Sequence, residues 1–137
     1  MRGGCIKYYN KHIVDYNKSR KIINYMEICE LATWAREHGW GTCSGDITYE
    51  HILAKQLFRN NKAGLKLAYD TYGDYFGAST CLKHNAGNKC ADTTAAVLYL
   101  MRKRLREHPE VFPLMIEEVA ATFKVVPEYL RLEYLRE

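Results

Sequence analysis

The apolar positions recur mostly at helical spacing. From about Lys18 to His38, Ile22, Met26, Cys29 and Thr33 fall three to four apart, with Ile28, Leu31 and Ala35 beside them. Asn17 suits the N-cap of that helix, and Gly39 and Gly41 stop it. A second helix is predicted from Asp46 or Thr48 to Asn60, with Tyr49, Ile52, Leu53, Leu57 and Phe58 on its apolar face. Asn61 caps a third, which carries Leu65, Ala68, Tyr69, Tyr72 and Phe76 on one face and ends at Gly77. Residues 78–91 are dense in Ser, Thr, Asn, Gly and Lys and read as a loop.

Asp92 caps a fourth helix to Glu107, burying Val97, Leu98, Met101 and Leu105. His108-Pro109 breaks it, because the residue before proline avoids the α region. Pro113 suits the first position of a fifth helix ending at Phe123, and Pro127 opens a sixth. Ahead of all these, Ile6, Tyr8, Ile13, Val14 and Tyr16 suit a short hairpin turning at Asn10-Lys11. The expectation is one all-α domain over 1–137, a compact bundle of five to six helices. Residues 1–17 form a hairpin or arm, and the two long connections are 39–47 and 77–92.

A chain of 137 residues with 47% hydrophobic and 26% charged positions has the balance of an ordinary globular domain. It can bury enough surface to need neither disulfide nor metal for a core. No run approaches the ~18 apolar residues of a membrane span, and the N-terminus shows no apolar signal segment. Five cysteines, an odd number, then read as reduced thiols in a cytoplasmic protein.

The net charge of +4 is unevenly spread. Residues 1–25 carry +5, residues 26–101 carry −1, and residues 102–137 are neutral. In the basic stretch, Lys7, Tyr8, Tyr9, Lys11, Tyr16, Lys18, Arg20, Lys21 and Tyr25 alternate cations with rings. That composition suits phosphates and stacked bases of a nucleic acid, or an acidic protein partner. Arg102, Lys103, Arg104 and Arg106 form a second basic cluster.

The C-terminal segment brings in a likeness. Ala120 is a small residue where two helices would cross, Val125 an apolar plug in a turn, and Leu130 and Tyr134 buried positions of a following helix. Residues 113–135 thereby resemble the helix-turn-helix of AraC-type and phage-associated regulators. The resemblance implies DNA contact through the last helix, with Arg131 as a contact residue. That helix also carries Glu128, Glu133 and Glu137, so the stronger phosphate-binding charge lies at the N-terminus.

Cys81 and His84, followed by Cys90, place two thiols and an imidazole within ten residues of predicted loop. These are the donors zinc prefers, and His38 or Cys43 in the other long loop offers a fourth. Asp70 and Asp74 share a helix face, where solvated carboxylates are the ordinary reading. Glu50-His51 lacks the second histidine of a metalloprotease motif, and no nucleotide-binding or deaminase signature is present. The sequence therefore favours a binding protein over an enzyme. The first expectation is a nucleic-acid-associated regulator. A phage or mobile-element inhibitor or adaptor of a host protein is the alternative, and a zinc-stabilised module the third reading. No membrane or small-molecule substrate is implied, and zinc is the one cofactor suggested.

Overall fold

The described chain is helix-rich as the pattern predicts, but one expected helix is a strand and the bounds of several others differ. The structure, a computed structural model, describes residues 28–54, 58, 61–123 and 126–136. Among these the chain is helix-rich with a small two-stranded antiparallel sheet, so all-α holds only roughly. The hairpin proposed for residues 6–16, and the start of the helix proposed from Lys18, lie outside the described residues.

Residues 28–31 are not helical, and the first described helix, α1, covers Ala32–Glu37. The helix expected to start at Asp46 or Thr48 is instead a strand, β1, Ile47–His51. Its partner β2, Gly77–Cys81, lies at the start of the expected loop. The register runs from Ile47 opposite Cys81 to His51 opposite Gly77. Ile47, Thr48 and Tyr49 are β-branched or aromatic and suit a pleated surface. Gly77 admits the Tyr49 ring, because a Cβ there would run into it. The Tyr49 hydroxyl donates to the Gly73 carbonyl at 3.2 Å.

Every residue of β2 is buried. One edge pairs with β1, and residues 28–30 cover the other. The Glu30 N–H donates to the Ser79 carbonyl at 2.7 Å, and the Ser79 hydroxyl donates to the Ile28 carbonyl at 2.8 Å. This covering explains why small residues fill the strand.

Between the strands, α2 (Lys62–Lys66) starts at Asn61, whose side chain accepts from the Gly64 N–H as a cap. It continues into a wider π-helical turn, Leu67–Thr71, and then α3, Gly73–Phe76. After β2 come a second π-helical turn, Lys83–Gly87, and a 3-10 turn, Cys90–Asp92.

The long helix α4, Thr94–Glu107, is capped by Thr93 rather than Asp92, the Thr93 hydroxyl accepting from the Ala96 N–H. It buries Ala96, Val97, Leu100, Met101 and Arg104, while Leu98 and Leu105 are only partly covered. After Pro109, α5 covers Val111–Thr122, which puts Pro113 at its third position. It buries Phe112, Met115, Ile116 and Val119. The sixth helix expected from Pro127 is divided: a 3-10 turn, Glu128–Leu130, is followed by α6, Leu132–Leu135. Arg131 between them is extended, at φ −104° and ψ 119°. No helix among the described residues is long and apolar enough to cross a membrane.

Arg104 takes a core position because it is neutralised there. Its Nη1 and Nη2 donate to the two Glu30 carboxylate oxygens at 2.8 and 3.0 Å. Nη2 also donates to the Gly77 carbonyl at 2.7 Å, and Nε to the Tyr75 carbonyl at 3.2 Å. Lys103 adds a third cationic bond to Glu30 at 2.8 Å. Burial opposes ionisation of Glu30, but the bonds and charges of Arg104 and Lys103 prevail and hold its carboxyl at about 2. The network ties residues 28–31 to β2 and α4.

Candidate metal centre

Cys29 leaves the covered edge of β2 one residue before Glu30, with its side chain turned inward and buried. Cys81 ends β2, and His84 opens toward it from the following π-helical turn. Cys43 comes from the loop between α1 and β1. That loop is held by backbone bonds that extend the strand pairing, from Leu82 N–H to Asp46 O at 2.8 Å and from Lys83 N–H to Ser44 O at 3.0 Å. Gly41 and Gly45 turn the loop with φ of +83° and +85°, a region that favours glycine.

These elements converge on one point. Cys29, Cys43, Cys81 and His84 lie close enough to hold one metal ion, their donor atoms all within 4.8 Å of one another. The Sγ atoms of Cys81, Cys29 and Cys43 stand 3.2, 3.8 and 3.9 Å from His84 Nδ1. Tetrahedral zinc, with bonds of about 2.3 Å to sulfur and about 2.0 Å to nitrogen, separates S and N donors by roughly 3.6 Å. The observed distances bracket that value.

The orientation of His84 is also fixed. Its Nε2 lies 3.0 Å from the Gly41 carbonyl oxygen. A carbonyl only accepts, so Nε2 carries the proton in the neutral ring. Nδ1 is then left with a lone pair facing three sulfurs. A ligating histidine is characteristically held this way by an outer hydrogen bond to its second nitrogen.

The thiols sit in contrasting surroundings. Burial raises Cys29, with the Cys81 charge adding to the effect. Desolvation and the charge of Cys29 push Cys43 up to about 12. Burial also opposes ionisation of Cys81, yet its value is lowered, because the Ser44 and His84 backbone N–H groups stabilise the thiolate. The His84 N–H donates to the Cys81 sulfur at 3.4 Å. Three crowded thiols repel when ionised, and a divalent cation reverses that balance by binding them as thiolates.

Of the expected ligands, Cys81, His84 and Cys43 meet. Cys90 is buried nearby but is not one of the four, and burial followed by the charges of Cys29 and Cys81 pushes it up to about 11. His38, the other candidate, stacks on Trp34 and bonds the Trp34 carbonyl through Nδ1 at 2.8 Å. Cys29 takes the place given to Cys90. Its 3–4 spacing with Met26 and Thr33 concealed it as a helix-core position. The usable signal was Cys81-x2-His84, a ligand pair at knuckle spacing that needs two thiols from elsewhere.

Among the described residues the basic positions differ in burial. Arg104 is buried against Glu30, a correction to its expected role as a surface contact. Arg102 is half-buried, donating from Nη2 to the Tyr134 carbonyl at 3.1 Å with its guanidinium 5.9 Å from the Tyr134 ring centre. Arg106 and Arg131 are exposed. Lys7, Tyr8, Tyr9, Lys11, Lys18, Arg20 and Lys21 lie outside the described residues. Asp70 pairs with Lys66 at 3.0 Å, and Asp74 is exposed. The chain matches no protein-family model, no curated protein and no solved structure.

Proposed function

We propose that the chain is a small zinc-stabilised binding module, with its metal held by Cys29, Cys43, Cys81 and His84. The observation that carries this reading is His84, whose Nε2–H is committed to the Gly41 carbonyl while Nδ1 faces the three sulfurs. Three thiolates and an imidazole suit zinc. Four protein donors close a tetrahedral shell, so no position is left for water or substrate. The metal's work is then structural: it joins the loop before β1, the start of the described chain and the end of β2.

Metal analysis tests the reading on the full chain, expressed with zinc and purified without chelator. One zinc per chain is expected, and cobalt substitution should give thiolate charge-transfer bands with tetrahedral d–d absorption. A zinc content below about 0.2 per chain, with no cobalt spectrum, would end it.

Nucleic acid is the partner class we propose for the module. Support comes from the basic, Tyr-rich residues 1–25, from exposed Arg106 and Arg131, and from the helix-turn-helix likeness of residues 113–135. The divided last helix gives that likeness less to insert into a major groove, so the weight rests on the cations. Binding should fall steeply as salt rises, and Arg131→Ala should weaken it more than Lys62→Ala. No binding at low salt would remove this part.

A further inference from the structure

A carboxyl on the sheet stands in the opposite situation to Glu30. Glu50, on β1, is only 7% exposed. Among the described residues its carboxyl has no ion pair and no hydrogen-bond donor. The charge acting on it is that of Asp92, another carboxylate. A buried carboxyl in this state is costly to ionise unless something supplies a cation or a donor.

Glu50 does not face sealed core. It lines a partly open cavity of about 60 Å³, together with Asp92, Thr94, Ile52, Val97 and Tyr129. The cavity lies between β1, the 3-10 turn before α4, the first turns of α4 and the 3-10 turn that carries Tyr129. Its polar lining is the carboxyl groups of Glu50 and Asp92, the Thr94 hydroxyl, the Tyr129 phenol and the His51 imidazole, and the remaining walls are aliphatic.

We propose that this cavity is a binding site for a primary alkylammonium group, received by Glu50 and Asp92. An ammonium has three N–H donors and no acceptor, which matches the Asp92 carboxylate, the Thr94 hydroxyl and a Glu50 carboxyl that releases its proton to solvent as the cation enters. The volume equals roughly two liquid waters, enough for the ammonium head and one or two methylenes. The methylenes would lie against Ile52 and Val97, with the Tyr129 ring also in the lining. Calcium calls for six to eight oxygen ligands, more than this lining supplies. An anionic ligand would meet the Asp92 carboxylate and find no cation among the groups that line the cavity. The same chemistry has two sources, a free small amine or the side chain of a lysine in a peptide. The site shares no residue with the metal cluster, so either reading can fail alone.

Calorimetric titration of the full chain tests the proposal with two probes, propylammonium chloride and Nα-acetyl-lysine methylamide. Tetramethylammonium and propanol serve as controls. Saturable binding of either amine, with both controls weaker by about tenfold or more, supports the site. Comparable affinities for the two amines assign it to small amines. Clear preference for the lysine derivative assigns it to peptide lysine. Glu50→Gln and Asp92→Asn should each weaken amine binding by about tenfold or more. Asp92 is exposed, so its substitution reports on binding without risk to the core. Absence of saturable amine binding, tetramethylammonium binding as well as the amines, or unchanged affinity in Asp92→Asn would each overturn the proposal.

Discussion

Replacing Arg104 by methionine keeps the aliphatic stem in the core and removes the guanidinium. The structure allows the cost to be worked out. The substitution deletes the paired bonds to Glu30 at 2.8 and 3.0 Å and leaves the Gly77 and Tyr75 carbonyls without their Arg104 donors. Removing one partner of a buried ion pair costs about 3–5 kcal/mol, because the other charge stays behind. Glu30 keeps Lys103 at 2.8 Å and the Ser79 N–H at 2.9 Å, which pulls its share to the low end. The carbonyls return part of that saving at about 1 kcal/mol each. A loss of about 3–4 kcal/mol is expected. With a urea slope of about 1–3 kcal/mol/M for small proteins, the unfolding midpoint should fall by roughly 1–4 M. Urea unfolding of zinc-loaded wild type, Arg104→Met, Glu30→Gln and the double variant closes a thermodynamic cycle. The double variant should be less destabilised than the two singles added together, by at least about 1 kcal/mol. The singles should also weaken zinc retention against a chelator, since Glu30 fixes the backbone next to Cys29. A loss below about 1 kcal/mol, or strict additivity, would refute the assignment of Arg104 to a buried network and return it to the surface.

Other expectations follow from the same geometry. Burial, with the Asp92 charge adding to it, pushes Glu50 up to about 8 in the folded state, from an ordinary 4.5. The native state therefore holds a proton that the unfolded chain has released, and stability falls as pH rises from about 4.5 to about 8. The full effect is on the order of 5 kcal/mol. Glu50→Gln should match wild type near pH 4.5 and exceed it near pH 8 in urea midpoint, and parallel profiles would contradict the cause given. Cys29→Ser should abolish stoichiometric zinc while Cys90→Ser retains it, read by metal analysis, and the reverse order would restore Cys90 as a ligand. Gly77→Ala should cost about 1–3 kcal/mol in thermal or urea unfolding, because its methyl group meets the Tyr49 ring. A neutral result would mean the strand pair opens easily at that end.

Much of the fold follows from local pattern, and the failures share a cause. The helix ending at Glu107 and the break at His108-Pro109 are set by periodicity and by proline sterics, both local. The Asn61 cap is equally local. β1 was hidden because Tyr49, Ile52 and Leu53 fit helical spacing as well as a short strand. Its choice is made by β2, thirty residues further on, which periodicity cannot register. β2 itself, Gly-Ala-Ser-Thr-Cys, lacks large apolar residues because both of its edges and faces are covered, and small polar residues resemble a loop. The metal site was half legible for the same reason. Cys81 and His84 are neighbours in sequence, and the Gly-punctuated loop around Cys43 drew attention to itself. Cys29 is held at the cluster by contacts distant in sequence, among them those of Ile28 and Glu30 with Ser79 and of Glu30 with Lys103 and Arg104, which no spacing in the sequence announces.

The wide separation of the four donors along the chain has a further consequence. His84 lies 41 residues beyond Cys43 and 55 beyond Cys29. A bound ion would act as a reversible cross-link that closes long loops. A single closure of about 40 residues removes chain entropy worth about 4 kcal/mol at 25 °C from the unfolded ensemble. That benefit is concentrated on residues 28–46, whose only regular element is the six-residue α1. Beyond β1, α4 and α5 bury their own apolar stripes and need no such help. Stripping the metal should thus release the early segment first, as a local opening cut by protease near Gly41, while the helical remainder stays folded.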